Sequence, residues 1–527
     1  MKKLSFFLFT SLIVFACSKS DVDDNEINPT PVEATEEPQE QVISISTVVN
    51  DFIWEGLNLY YYWQESVPNL ADSMTDDETA YIDFLNSNTD SEAFFESLNH
   101  EDDRFSWIES DYRVLENQLA GISSTNGMRF SLHLRSADSN GIIAVVTYVM
   151  IGSDAETNGV QRGDIFNTVD GQELTVDNYR ALLYGDNTSY TIELVNFDGN
   201  TNVITPRNES ITLNKIENFQ ETPIHKSMVF EVSGRRVGYF MYNRFVGAID
   251  NDGDGENEFD FNQEMIDVFS GFLNFEIQDL VLDLRYNGGG STLTCNYLAS
   301  MITGQFTGEI FAQQIWNSKI RQYIDSRNSD GDPNNDISVV DRFLNSTRNG
   351  VGLPGLNLPR VYVLTSNRTA SASELLINGL ASHIEVIQVG TTTVGKNEGS
   401  ITLYDYIDSA NSVRDTTHRY AMQPIVLKIA NSVGFADYAD GLPPEDGSLI
   451  PNLSFIEKEE SPLNYGTLGD PSEPLLSLAL GHIQGNSAKA NKEAGSIKLP
   501  EIKVPYDSHL QRMIVEEFPN FKIKRSH

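Results

Sequence analysis

One stretch, residues 359–400 (PRVYVLTSNRTASASELLINGLASHIEVIQVGTTTVGKNEGS), most constrains how this chain folds. Its apolar run at 361–364 predicts a buried strand, and a helix-period run follows the Ser-Ala-Ser-Glu segment at 371–374. A second buried strand is predicted at 384–389, and Lys396 then stands in a glycine-flanked loop. The pattern therefore predicts a serine at a strand-to-helix turn and a lysine one βα step later.

A serine hydroxyl at a helix N-terminus suits acyl transfer, because free backbone N–H groups there can face a developing oxyanion. The Ser371-x-x-Glu374 spacing is also that of a capping box, which begins many helices without any chemistry. This segment alone leaves both interpretations open.

Length and charge limit the class of protein. A chain of 527 residues is long enough for two to four domains. Its formal net charge of −40 gives a surface that repels phosphate backbones. We therefore expect no nucleic-acid partner.

The N-terminus has the features of an export signal. Lys2 and Lys3 precede an apolar run at 4–15, which is too short for a membrane span, and Cys17 follows Ala16 directly. Residues 1–17 resemble a bacterial lipoprotein signal peptide, although plain secretion is the alternative. The resemblance implies lipidation at Cys17, which would anchor the chain to the outer membrane of a bacterial envelope, facing the periplasm or the cell surface.

The next segments differ in composition. Residues 18–43 are acidic and poor in large apolar residues, and they predict a disordered tether. Residues 44–112 show helical periodicity with many aromatic residues. No chemistry is visible in either segment. If Cys17 is lipidated, Cys295 has no disulfide partner.

Residues 113–216 are predicted to form a β-rich module. The segment Gly127, Met128, Arg129, Phe130 precedes alternating residues, and an Arg-Gly-Asp segment with a later Asp-Gly turn follows. The module resembles a PDZ domain. The resemblance implies that these four residues form the loop that binds the terminal carboxylate of a peptide added as a strand. A β-rich spacer without a ligand is the alternative.

An acidic loop follows at 250–255. Asp250, Asp252 and Asp254 have the spacing that opens an EF-hand calcium loop, but Phe261 stands where the bidentate Glu is needed. We favour an acidic surface insertion, with calcium as a weak possibility that would suit a calcium-dependent structural surface protein. We expect no metal site and no cofactor.

Residues 217–487 are predicted to form an α/β core. A buried strand at 280–285 leads into the triglycine turn at 288–290, whose glycines allow a close backbone approach to a ligand. Strands and helices alternate from about 237 to 430, which predicts a mixed, mainly parallel sheet with covering helices. The tail at 488–527 is basic and is predicted to be partly mobile.

The triglycine turn, the serine turn and a lysine 25 residues after Ser371, behind a PDZ-like module, resemble the carboxyl-terminal processing (tail-specific) protease family. The resemblance covers about residues 119–480. It implies a serine-type endopeptidase for unfolded or C-terminally exposed polypeptides. Ser371 would be the nucleophile and Lys396 the general base, while the N–H groups of Ala372 and Gly290 would hold the oxyanion.

The proposed role of Lys396 as a base depends on two features of its surroundings. The amine can act as a base only when neutral, so burial must lower its pKa from about 10.4 towards 7–8. Glu398 would oppose this, so we expect it to face away. Many family members carry a glutamine four residues after the lysine, but Ser400 stands there. Either Ser400 bonds the amine in place of the glutamine, or that role is absent. The missing glutamine also motivates an alternative, in which the chain is a non-catalytic, protease-like surface lipoprotein that only binds peptides.

Overall fold

The structure of this chain is a computed structural model, which describes residues 44–249, 257–408, 412–444, 450–486, 499–502 and 512–516. The predicted leader, with Cys17, and the predicted tether lie outside the described residues. The calcium candidates at 250–254 also lie outside them. These predictions therefore stay predictions.

The N-terminal region is helical, as predicted. Its first helix begins where the Ser44 side chain accepts the Thr47 N–H at 3.1 Å, and it buries Phe52, Ile53 and Leu57. The elements of this region are α1 Ile45–Tyr60, α2 Glu78–Leu85, α3 Ser91–Ser97, β1 Trp107–Glu109 and α4 Tyr112–Ala120, with short 3-10 helices at Gln64–Ser66, Pro68–Leu70 and Asp72–Thr75.

A β-rich module follows the helical region. Its main sheet has the order β3-β4-β5-β7-β8, and neighbouring strands are antiparallel, so that β3 forms an edge. Its apolar core includes Leu132, Val146 and Ile192. The elements are β2 Ile122–Thr125, β3 Met128–Leu134, β4 Ile142–Val149, α5 Asp154–Thr157, β5 Ile165–Val169, β6 Gln172–Glu173, α6 Tyr179–Tyr184, β7 Ser189–Asp198, β8 Val203–Asn214 and β9 Ile216–Gln220.

The remaining elements belong to the α/β core. They are β10 Ile224–Val232, β11 Arg235–Tyr242, β12 Ala248–Ile249, β13 Phe259–Asp260, α7 Phe261–Asn274, β14 Asp279–Asp283, β15 Gly289–Ser291, α8 Thr292–Thr303, β16 Ile310–Trp316, α9 Ser318–Asn328, β17 Val340–Arg342, β18 Arg360–Thr365, α10 Ala372–Ala381, β19 Glu385–Gly390, β20 Glu398–Ser400, β21 Leu403–Tyr404, β22 Tyr406–Asp408, β23 Val413–Arg414, β24 Ala421–Gln423, β25 Ile425–Asn431, β26 Leu453–Glu457, α11 Pro474–Ile483 and β27 Arg512–Ile514.

The first core sheet confirms the predicted parallel architecture. Its order is β10-β11-β14-β18-β19-β26, and every pair after the antiparallel β10–β11 hairpin is parallel. Alternate side chains of β18 enter different cores: Val361 and Val363 pack with α7, α8 and α10, whereas Tyr362 and Leu364 pack with α11. Both faces of the sheet are therefore covered by helices.

A second core sheet was not predicted. Its order is β15-β27-β20-β25-β16-β17, and it includes several strands of only three residues, which give little periodic signal. β27 comes from the tail, and Met513 and Val515 are buried in the main core. The tail therefore contributes a strand to the core, which the sequence did not indicate because the local signals there are sparse.

Candidate active site

Ser371 lies between β18 and α10 with an unusual backbone. It has φ 64° and ψ −115°, in a region that costs a non-glycine residue roughly 1–3 kcal/mol. Its side chain is fully buried, and its Oγ has no hydrogen-bond partner. The Ser371–Glu374 pair nevertheless has the arrangement of a capping box, so the geometry leaves the capping interpretation open beside the catalytic one.

Glu374 joins the serine turn to the lysine loop. Its Oε2 accepts the Ser371 N–H at 2.6 Å and the Lys396 N–H at 2.8 Å. Its Oε1 accepts from the Gly395 N–H at 2.6 Å and from the Thr393 hydroxyl. Burial raises the pKa of this carboxyl, although the four donors oppose that shift. One carboxylate thus places the backbones of Ser371 and Lys396 side by side.

Lys396 is fully buried at the end of this loop. Its Nζ lies 4.6 Å from the centroid of the Phe105 ring. Arg104 donates to the Gly395 carbonyl at 2.7 Å and to the Ala439 carbonyl at 3.2 Å. The N-terminal region therefore supplies part of the lysine environment. Sequence reasoning missed this contribution, because nothing in the local pattern around 104–105 indicates it.

The placement of Glu398 differs from the sequence-based expectation. It is buried, and burial raises the pKa of its carboxyl, while the positive charges of Lys428, Lys396 and Arg104 lower it. The prediction that it faces away from the lysine environment is therefore wrong. A buried carboxyl in this position favours the ammonium form of Lys396 whenever it is ionised.

The triglycine turn is bonded to the serine turn. The Asn287 carbonyl accepts the Ala370 N–H at 3.1 Å and the Ser373 hydroxyl at 3.1 Å. The Ala372 carbonyl accepts the Cys295 thiol at 3.2 Å. The strand with Gly290 and the first residue of α10 therefore lie at the same end of the core.

Gly290 is held from both sides. Phe245 donates its N–H to Gly289 and accepts from Ser291, both at 2.9 Å, on one edge of β15. On the other edge Gly290 pairs with Met513 of β27 in a parallel register. Because successive residues direct their backbone groups to opposite edges, the Gly290 N–H points toward β27.

Ser400 is built into the second sheet. Its hydroxyl donates to the Met513 carbonyl at 3.1 Å and accepts from the Gln423 amide at 3.1 Å. The other end of the Gln423 amide accepts from Thr402 at 2.8 Å. The hydrogen of Ser400 is therefore used on the neighbouring strand. Sequence reasoning did not single out Gln423.

The four predicted peptide-binding residues lie at the start of β3. The Gly127 N–H bonds the Thr125 hydroxyl at 3.0 Å, and the Met128 N–H bonds the Asn126 side chain at 3.0 Å. Phe130 packs with Phe166 and Tyr184. Arg129 lies 3.8 Å from Glu221. A cavity of about 100 Å³ borders Met128, Arg129 and Phe130.

The described residues contain neither a metal-binding cluster nor a helix suited to cross a membrane. Among these residues, no group of three His, Cys, Asp or Glu side chains is placed to hold a metal ion. In the same part of the chain, no helix combines the length and the apolar character that a bilayer crossing requires.

A mixed α/β core with a buried serine at a strand-to-helix turn is an arrangement that serine hydrolases use, but the fold alone does not establish an activity. The model of Peptidase family S41 matches residues 236–423, and that of the Peptidase S41 N-terminal domain matches residues 48–107. These two matches confirm the resemblance to the carboxyl-terminal processing proteases of peptidase family S41. Residues 113–216 lie outside both matches, so the PDZ resemblance stays a prediction.

One solved structure supports the fold. A candidate S41 protease from Bacteroides fragilis has a TM-score of 0.62 and 23% identity, and the match covers 82% of this chain and 97% of that one. The photosystem II D1 C-terminal processing protease has a TM-score of 0.44 and 16% identity, over 84% of this chain and 99% of that one. No curated protein matches this sequence.

Proposed function

We propose that this chain is a serine endopeptidase that cleaves unfolded or C-terminally exposed polypeptides by a Ser371–Lys396 dyad. The observation that carries the proposal is the Glu374 carboxylate, which bonds the backbone N–H of both residues while the Ser371 hydroxyl has no partner. A hydroxyl free of other bonds, on a backbone held beside that of a buried lysine, supports base-assisted attack.

The proposed chemistry has two halves. The neutral Lys396 amine takes the Ser371 proton as Oγ attacks the scissile carbonyl, and it then gives that proton to the leaving amine. The N–H groups of Ala372 and Gly290 stabilise the oxyanion, and water hydrolyses the acyl-enzyme with the same lysine as base. Each oxyanion donor is worth about 2.7–4 kcal/mol of transition-state stabilisation.

Substrate capture is assigned to the PDZ-like module. Gly127, Met128, Arg129 and Phe130 stand at the start of the edge strand β3, to which an extended peptide can add. A lipid anchor at Cys17 would hold the enzyme at the outer membrane, facing the periplasm or the cell surface. Replacing Cys17 with Ser should move the protein from the membrane pellet to the soluble fraction of the envelope.

The alternative is a protease-like protein that binds peptides without cutting them. The bonds of Ser400 favour it, because this hydroxyl donates to Met513 and takes the place of the family glutamine. This alternative predicts peptide binding with no cleavage by any variant.

The test combines cleavage with active-site labelling. Wild type, Ser371→Ala and Lys396→Ala are compared for cleavage of casein and for labelling by a fluorophosphonate, which reacts with activated serines. We expect both activities in wild type and losses of 10³-fold or more in the two variants, on the order of those seen for other serine nucleophiles and bases. Ser326→Ala on α9, which bonds only its own helix carbonyl, is the matched control. Equal cleavage by wild type and Ser371→Ala would exclude the dyad.

A further inference from the structure

Two pieces of the C-terminal tail lie where a substrate would be expected to bind. The first, residues 499–502, adds to the edge of β3. The Leu134 N–H donates to the Pro500 carbonyl at 2.9 Å, and the Ile502 N–H donates to the Leu132 carbonyl at 2.8 Å. His133 and Glu501 form the antiparallel bridge between these bonds. This is strand addition by the chain to its own module.

The direction of this piece matches that of a captured peptide. Pro500 lies opposite Leu134 and Ile502 opposite Leu132, so the segment runs toward the loop at Gly127. A ligand that brings its C-terminus to that loop runs the same way. The tail therefore takes both the place and the polarity that the proposed function assigns to a substrate.

The side chains of this piece reach the serine turn. Glu501 accepts from Arg368 at 2.9 Å and from Asn367 at 3.1 Å, both just before Ser371. Ile502 packs against the apolar core of the module. The Glu501–Arg368 pair is partly exposed, so it adds only about 0–1 kcal/mol. Such weak contacts suit an occupant that can be displaced.

The second piece, β27, lies between β15, which contains Gly290, and β20, which follows the Lys396 loop. It is parallel to β15 on one side and to β20 on the other. Its Val515 N–H donates to the Ser400 carbonyl at 3.0 Å, and its Met513 carbonyl accepts from Ser400. The Gly290 N–H, the proposed oxyanion donor, points toward this strand. The backbone of β27 therefore faces the N–H group that the proposed chemistry uses as an oxyanion donor.

We propose that residues 499–502 and 512–516 are an intramolecular occupant of the substrate path, which a polypeptide must displace before cleavage. The inference rests on the proposed function for the identity of that path. It also names the peptide that the β3 edge prefers: an extended segment with an acidic side chain opposite Arg368, between apolar neighbours. The full burial of Ser371 and Lys396 agrees with a closed state.

The test measures binding without chemistry. Full-length Ser371→Ala protein is titrated with a fluorescein-labelled, amidated peptide that has the sequence of residues 499–516. The tethered copy competes at high effective concentration, so we expect weak binding to this parent protein. Ile502→Pro removes one backbone donor, Glu501→Lys reverses the charge that Arg368 holds, and Met513→Asp expels β27. If the tail occupies the path at least 90% of the time, displacing it tightens the apparent Kd by about 10-fold or more.

The controls separate this inference from a loss of folding. The same peptide with both the Ile502→Pro and Met513→Asp changes should not bind. Hydrogen exchange should show the Leu134 amide less protected in the Ile502→Pro protein, while thermal melting confirms that the protein is folded. The Glu501→Lys and Ile502→Pro sites are partly exposed, so they test the idea even if Met513→Asp fails to fold.

The outcomes distinguish the two proposals. Unchanged affinity across the folded variants, or no binding to any of them, would overturn the occupant. Tighter binding without Ser371-dependent cleavage of casein would keep the occupant and refute the protease. Ser371-dependent cleavage that the tail variants do not accelerate, with unchanged peptide affinity, would keep the protease and remove the occupant.

Discussion

Glu374 is the residue whose chemistry is most closely tied to the site geometry. Four donors share its two oxygens, two on each. In Glu374→Gln one oxygen becomes an NH₂ group that faces two donors. Unpaired buried donors cost about 1–3 kcal/mol each, so two of them should lower the unfolding free energy by about 2–6 kcal/mol.

This prediction is checked by urea unfolding and by casein cleavage, and both should decrease. Glu385→Gln makes the same chemical change at an exposed strand position and serves as the control. A Glu374→Gln protein as stable and as active as Glu385→Gln would show that the carboxylate does not hold the two backbones together.

Phe105 is the residue that sequence reasoning overlooked. Its ring lies 4.6 Å from the Lys396 Nζ and favours the charged amine by a cation–π contact. Phe105→Leu keeps an apolar side chain but removes the ring. We expect the acid limb of the kcat/KM profile to move to lower pH by about half to one unit. Phe130→Leu, in the module, should leave the acid limb in place, and a shift to higher pH in Phe105→Leu would contradict this role.

At the scale of elements, β15 is a strand of only three residues, and its position sets the direction of the Gly290 N–H. Gly290 has φ 136°, and a Cβ there would lie 2.0 Å from the Phe245 carbonyl oxygen. Gly290→Ala must therefore push β15 away from Phe245 and turn its N–H. We expect cleavage to fall by about 10²–10³-fold, as for loss of one oxyanion donor.

The control for this element is Gly159→Ala. It also has a positive φ, 77°, but open space around the added methyl group. It should cost some stability without affecting cleavage. Peptide affinity in the Ser371→Ala background separates a lost oxyanion donor from a collapsed strand, because only the collapse should weaken binding.

At the scale of the whole molecule, a buried charge cluster joins the module to the core. Arg162, from the module, bonds Glu460 at 2.6 Å, and Arg285, from the core, bonds the same carboxylate at 3.0 Å and Glu473 at 2.7 Å. Burial alone would raise the pKa of Glu460, but the guanidinium groups of Arg285 and Arg162 outweigh it and hold the pKa at about 2.

The sign of the resulting pH dependence follows from this low pKa. The Glu460 carboxyl contributes stability above its ordinary pKa of 4.5 and loses it as the pH falls toward 2, a total on the order of 3 kcal/mol. Arg162→Met should lower the unfolding free energy at pH 7 and reduce the loss between pH 5 and pH 3, measured by urea unfolding. Arg207→Met, which breaks partly exposed pairs, should change little. A wild-type curve that is flat over this range would refute the role of Glu460.

The sequence by itself was enough to predict the family and the secondary structure around the site. The predicted strands at 361–364 and 384–389 match Arg360–Thr365 and Glu385–Gly390 closely, because apolar periodicity and turn residues are local signals. The serine, the lysine and the triglycine turn were also readable, since each lies at the end of a local element.

Only the tertiary structure decided what surrounds those residues. The Phe105 ring beside Lys396 and the tail strand beside Gly290 bring together residues that are distant in sequence. The Glu374 carboxylate bonds two backbones through contacts that leave no periodic signal in the sequence. Local patterns carry no information about such partners, because long-range pairing depends on how complete faces pack. The position of the serine turn was therefore readable from the sequence, but whether that turn is open to a substrate depends on the folded chain.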